Sequence, residues 1–276
     1  LGLAAAAAAL AAACSPLSMF ATLSPKDPAL RSAQGVAFGA DPRQRLDVYA
    51  PRSARTPAPV AVFFYGGSWD SGRRQDYNWA GQALAARGFV AVVPDYRLYP
   101  TSRYPGFLDD GALAVRWVVD HAAQFGGDPS RIVLLGHSAG AYNAVMVGLD
   151  PRYLTAAGVD PERIKAIAGL SGPYDFLPLE GGITRRIFGE ASDLPATQPM
   201  AYVRANSPPA FLATGAKDNM VYPRNTTALA AAYRKAGAPV VEKHYAGMDH
   251  IRMVLALSRP FRGGAPVLDD MTAFLH

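Results

Sequence analysis

Arg131-Ile-Val-Leu-Leu-Gly136-His137-Ser138-Ala139-Gly140-Ala-Tyr142 is an apolar run of strand type that breaks at Gly136 and resumes as a helix-type sequence. The break holds G-x-S-x-G between strand and helix, the context in which that pentapeptide forms a nucleophile elbow. Such a turn is tight. Its flanking positions must be Gly so that neighbouring backbones can pass. The serine between them is then held strained, with its hydroxyl at the top of a sheet. The pentapeptide alone is a weak signal, and its flanks give it weight.

Outward from the elbow, Pro59–Tyr65 (Pro-Val-Ala-Val-Phe-Phe-Tyr) is continuously apolar, as a strand buried on both faces must be. Similar runs occupy 88–93, 132–135, 164–170, 210–214 and 240–245. Helix-type segments separate them, at about 75–87, 108–124, 139–148, 224–236 and 265–275. Two runs at 34–39 and 44–50 flank a turn at Asp41-Pro42 and predict an antiparallel opening hairpin. This order implies the α/β class, with a mostly parallel, eight-stranded sheet and helices on both faces. Between the sixth and seventh strands, Ser171–Pro209 is rich in Pro and predicts short helices over the carboxyl edge of the sheet. Residues 33–276 read as one domain, and 15–32, with Pro16, Pro25 and Pro28, as a linker arm.

Composition bounds the function. A chain of 276 residues, half of them hydrophobic and 18% charged, buries a full core. The net charge of +5 is spread without a compact Lys/Arg run, so the basic side chains read as a solvated surface and not as a nucleic-acid interface. A single cysteine, Cys14, excludes an intrachain disulfide. Residues 1–13 are Leu, Gly and Ala alone, and no charge precedes Lys26. Thirteen apolar residues closed by Pro16 are too few to span a bilayer. They read as the apolar core of a secretory signal, residues 1–14. The chain opens on Leu1, so the basic residues of such a signal are expected upstream. Leu10-Ala-Ala-Ala-Cys14 resembles the cleavage box of a bacterial lipoprotein, with Ala11 where Leu is usual. That resemblance implies a lipid anchor at Cys14 and a place in the bacterial cell envelope. Plain secretion is the alternative.

A serine needs a general base, and the base an orienting acid. An elbow serine is followed in chain order by the acid and then the histidine. After the strand at 210–214 comes Gly215-Ala-Lys-Asp218-Asn219, which puts Asp218 at a strand's carboxyl end, where ligands bind in such sheets. After the last strand comes Ala246-Gly-Met-Asp-His250. His250 is therefore the expected base and Asp218 its partner. His121, His137, His244 and His276 lie in a helix, inside the elbow, within a strand and at the terminus, and Asp249 reads as a loop cap. Tyr65-Gly66-Gly67-Ser68-Trp69 follows the central strand. Its glycines let backbone N–H groups approach a developing oxyanion, so Gly66, Gly67 and Ala139 are the expected donors. No metal cluster, dinucleotide fingerprint or P-loop is present in the sequence, and no cofactor is expected.

Together these pieces resemble the α/β-hydrolase fold, in the carboxylesterase group with an H-G-G-x-W oxyanion loop. That group includes feruloyl-esterase-like proteins and resembles kynurenine formamidase. The resemblance runs over about 45–275 and is carried by Gly66-Gly-Ser-Trp69, Pro94-Asp-Tyr-Arg97, Tyr104-Pro105 through Trp117, Gly136–Gly140, Ser171-Gly-Pro-Tyr-Asp175, Asp218 and His250. It implies a serine hydrolase acting on carboxylic esters of short acyl or small aromatic type, with an ester substrate as its partner. An arylformamidase on the same residues is the near alternative, and a non-catalytic envelope binding protein the distant one. Tyr65 stands where the loop usually has His, and its hydroxyl is expected near the substrate. Trp69, Phe176 and Ile187 are the other expected pocket residues. Asp95 and Arg97 read as a structural pair, and Asp175 as a helix cap.

Overall fold

The computed structural model describes residues 16–53 and 57–276, so Cys14 and the run before it lie outside the described residues. The strands are β1 (Leu30–Ala37), β2 (Arg45–Ala50), β3 (Ala58–Phe64), β4 (Val90–Pro94), β5 (Gly127–His137), β6 (Ile164–Leu170), β7 (Ala210–Gly215) and β8 (Val240–Tyr245). They form one sheet in the order β1-β2-β4-β3-β5-β6-β7-β8. The β1–β2 and β2–β4 pairs are antiparallel and the rest parallel. Every residue of β3 is buried, as its unbroken apolar run requires. β1 begins at Leu30, earlier than its alternation suggests, because two register shifts interrupt the pairing around Ala33.

Helices α1 (Pro16–Leu23), α2 (Asn78–Ala86), α3 (Gly106–His121), α4 (Ala139–Leu149), α5 (Pro151–Ala156), α6 (Gly182–Phe188), α7 (Arg224–Ala236), α8 (His250–Leu255) and α9 (Val267–Leu275) complete the fold. Strand order reverses at β3. Right-handed crossovers therefore put α2 on one face and α3 and α4 on the other. α4 is buried at every position, which matches its lack of a polar stripe. None of the described helices is long and apolar enough to cross a membrane.

Residues 16–29 are not an extended linker. α1 lies against the segment that follows the oxyanion loop: Ser18 Oγ donates to Asp76 at 2.8 Å and Phe20 meets Trp79 edge-on at 5.4 Å. Asp27 pairs with Arg262 at 2.7 Å. Three prolines do not prevent packing when Pro16 opens the helix and the other two follow its end. Ser171–Pro209 forms the expected cover, with α6 and two short 3₁₀ turns. Tyrosine hydroxyls seat it: Tyr142 donates to Thr197 O at 2.7 Å and Tyr202 to Ala196 O at 2.8 Å.

Candidate active site

The elbow has the strained geometry its sequence demands. Ser138 sits at φ 56°, ψ −127°, between β5 and α4. A Cβ on Gly136 would run into the Gly140 carbonyl, and one on Gly140 into the carbonyls of Phe64 and Tyr65. Both positions admit only Gly because three backbones meet there. The Ser138 N–H donates to Leu170 O at 2.9 Å, tying the turn to β6.

Asp218 and His250 arrive from two other strand ends. The Asp218 carboxylate accepts the N–H groups of Met220 and Val221 at 3.0 and 2.9 Å, which fixes it beyond β7. His250 opens α8 behind the N-cap Asp249, whose side chain accepts Arg252 N–H. His250 Nδ1 lies 2.8 Å from Asp218 Oδ2, and Nε2 lies 2.9 Å from Ser138 Oγ. Ionised Asp218 only accepts, so Nδ1 carries the proton and Nε2 is left to accept the serine hydroxyl. Burial acts to raise the Asp218 pKa, but hydrogen bonds from His250 and Val221 outweigh it and hold the carboxyl below its ordinary range. His244, by contrast, is on β8 beside Glu242.

His137, set aside above as a residue inside the elbow, has a place in the site. Its Nε2 lies 2.9 Å from the His250 backbone carbonyl, and the two rings are 4.7 Å apart. A carbonyl only accepts, so Nε2 carries the proton. Nδ1 is buried without a partner among the described residues and faces Gly66, where a Cβ would lie 3.2 Å away. Burial first, and the neighbouring His250 second, push its pKa down to about 3. His137 thus stays neutral and holds the His250 backbone from beneath Gly66.

Tyr65 does not reach the substrate cavity. Its ring is stacked between Tyr96 at 4.9 Å and Tyr77 at 5.4 Å. Its hydroxyl donates to Asp95 at 2.8 Å and accepts from Arg43 at 2.9 Å. Arg43 also donates to the Gly72 carbonyl at 2.9 Å, and Tyr96 to the Tyr65 carbonyl at 2.9 Å. Tyr65 therefore braces the loop from beneath, through a buried network centred on Asp95. Asp95 pairs with Arg74, not with Arg97, and Arg97 pairs with Asp110 at 2.8 Å. Past Pro94 the chain has left the sheet, so neighbours in sequence no longer share a partner.

A cavity of about 230 Å³ opens over Ser138 and His250. Ser68, Trp69, Ala139, Phe176, Ile183 and Thr184 are among its lining residues. Gly66 and Gly67 form the turn behind it: a Cβ on Gly66 would lie 3.0 Å from Ser138 Cβ. Ser68 was not anticipated from sequence, and its positive φ of 52° is the mark of a turn shaped for close approach. The Trp69 indole donates to Asn143 at 3.0 Å and is walled by Phe188 at 5.0 Å and Tyr142 at 5.4 Å. Ile187 is buried and does not line the cavity, because it lies one turn beyond Ile183 on the same face of α6, where that face has passed into the core. Asp175 caps no helix. α6 begins at Gly182, and Asp175 lines the cavity with its N–H held by Asn225 at 2.8 Å.

Residues 46–233 match the BD-FAE family. A protein of Arabidopsis thaliana described as a probable isoprenylcysteine alpha-carbonyl methylesterase is 31% identical over 260 residues, 86% of this chain and 54% of its own. Esterase LipC of Mycobacterium tuberculosis is 32% identical over 212 residues, 67% of this chain and 51% of its own. The chain spans about half the length of these two relatives. The solved structure of esterase B from Lactobacillus rhamnosis superimposes with a TM-score of 0.81 at 19% identity, over 99% of this chain and 95% of that one. At that identity the likeness shows the fold alone. By its match over most of its length, this chain belongs to the BD-FAE family and carries it on an α/β-hydrolase fold.

Proposed function

We propose that this chain is a serine carboxylesterase that cleaves esters of short or small aromatic acids through an acyl-enzyme on Ser138. The hydrogen-bonded line from Ser138 through His250 to Asp218, at the floor of a small cavity, carries the reading. Ser138 Oγ attacks the ester carbonyl while His250 Nε2 takes its proton. Asp218, ionised and fixed by backbone N–H groups, stabilises the imidazolium. The oxyanion lies against the N–H of Ala139 and the backbone of the Gly66–Ser68 turn. Each such donor is worth about 3 kcal/mol in the transition state. The imidazolium returns the proton to the departing alcohol. Water, deprotonated by His250, then attacks the acyl-enzyme and releases the acid and free Ser138.

A fluorophosphonate probe tests this directly. Wild-type protein is expected to be labelled on Ser138, and Ser138→Ala to lose both labelling and turnover, the latter by several orders of magnitude. His250→Ala is expected to be nearly as inactive and His244→Ala to keep activity. Labelling that persists in Ser138→Ala, or an inactive His244→Ala, overturns the assignment.

A further inference from the structure

The exposed large hydrophobic side chains of the described residues are Met19, Leu23, Leu30, Met220, Tyr222, Ile251 and Phe261, between 47% and 76% exposed. They are not scattered. Tyr222 and Met220 stand at the mouth of the catalytic cavity. Met220 also borders the next hollow, with Ile251 and Arg252. Arg252 borders a third hollow, which ends at Phe261. The Phe261 ring is 5.8 Å from Phe20 of α1, the helix that exposes Met19 and Leu23. Those two are four apart and share one helix face. Leu30 follows Ala29, which lines a basic hollow with Lys26, Arg52, Arg259 and Arg262. One belt thus runs from the cavity mouth to α1, in which exposed apolar side chains alternate with basic ones, and grouped exposed apolar side chains of this kind mark an interaction surface.

The charges beside the belt say what covers it. Lys26, Lys217, Arg224 and Arg259 form no ion pair among the described residues; of the acids beside the belt, Asp27 and Asp249 are taken by arginines and Asp175, on the cavity wall, is in no ion pair among the described residues, so the unpaired charge is mostly positive. Apolar side chains set among unpaired cations suit an interface of acyl chains beneath anionic headgroups.

We propose that this belt is a docking surface for an anionic lipid bilayer, which turns the cavity mouth towards the membrane. The proposal uses the esterase reading only for the direction from which substrate arrives. It stands independently of a lipid on Cys14.

The test uses the full chain carrying Cys14→Ser, so that no acyl anchor contributes and single cysteines can be labelled. An environment-sensitive dye is attached to Leu23→Cys, Ile251→Cys or, on the opposite edge of the sheet, Gln124→Cys. With vesicles of equimolar phosphatidylcholine and phosphatidylglycerol, emission is expected to shift to the blue at positions 23 and 251 and not at 124. The shift should weaken with salt and be small on pure phosphatidylcholine. In the same background, Met19→Glu with Leu23→Glu is expected to weaken vesicle binding at least tenfold and to leave hydrolysis of a water-soluble ester intact. A shift at all three positions, at none of them, or at 23 and 251 without vesicles as protein concentration rises, which would mean a second copy of the chain, overturns the proposal. An inactive Ser138→Ala that still docks separates this outcome from the catalytic one.

Discussion

At the scale of single residues, the site rests on side chains that lie outside the cavity lining. Tyr65 braces the Gly66–Trp69 loop because a buried phenol between Asp95 and Arg43 offers one donor and one acceptor. Burial foremost, and the Asp95 charge next, raise its pKa, so it stays a donor throughout the working range. His137 is more exposed to test. Its native pKa of about 3 lies below the ordinary 6.5, so the unfolded chain binds a proton that the native state refuses. Its contribution to stability is whole above 6.5 and is lost as the pH falls towards 3. Thermal melts of His137→Gln are therefore expected to be less acid-sensitive than those of the wild type over that window. His137→Leu removes the clamp on the His250 carbonyl and should lower kcat by about ten- to a hundredfold with KM nearly unchanged, since small misplacements of a base are costly. Restoration of much of that loss by Gln, a donor of similar reach, marks a positioning role. Equal kcat in all three proteins would remove it.

At the scale of elements, α1 joins two parts of the catalytic edge. It touches the segment after the oxyanion loop through Phe20 on Trp79 and Ser18 on Asp76. Through Phe20 on Phe261 it also touches the segment that follows α8, and Asp27, four residues past the end of α1, pairs there with Arg262. Phe20 is half-buried, so Phe20→Ala should cost about 2 kcal/mol, below the range for a fully enclosed Phe. A melt lowered by several degrees, with kcat/KM on a soluble ester almost unaltered, is the expected result. An unshifted melting temperature would mean that α1 is only an appendage. The sequence concealed this element for a physical reason. Eight residues between prolines carry too little periodic signal, and the helix exists because Trp79 and Phe261 receive it.

At the scale of the whole molecule, the cover decides how large an acyl group fits. Fewer than forty residues lie over the carboxyl edge, and Trp69 is locked among Phe107, Tyr142 and Phe188 at centroid distances of 5.7, 5.4 and 5.0 Å. A series of p-nitrophenyl esters should peak at short chains and fall beyond roughly eight carbons, because each further methylene returns about 0.8 kcal/mol only where it is buried. Trp69→Ala should move the optimum to longer chains at a stability cost of about 3–5 kcal/mol. Faster turnover of long than of short esters by the unaltered protein would refute the size limit.

The elbow, the succession of strands and helices along the chain and the residues Asp218 and His250 were legible in the sequence because each rests on local chemistry: a glycine-flanked turn, unbroken apolar runs, and polar residues just past strand ends. What only the tertiary structure decided are the contacts between distant segments. His250 meets Ser138 across 112 residues, and the same approach sets His137 against the His250 carbonyl. Tyr65 and Ile187 fall within the core and Ser68 on the cavity wall because neighbouring layers close over the first two and not over the third. Periodicity reports that a side chain is buried; which group it is buried against depends on how the layers close.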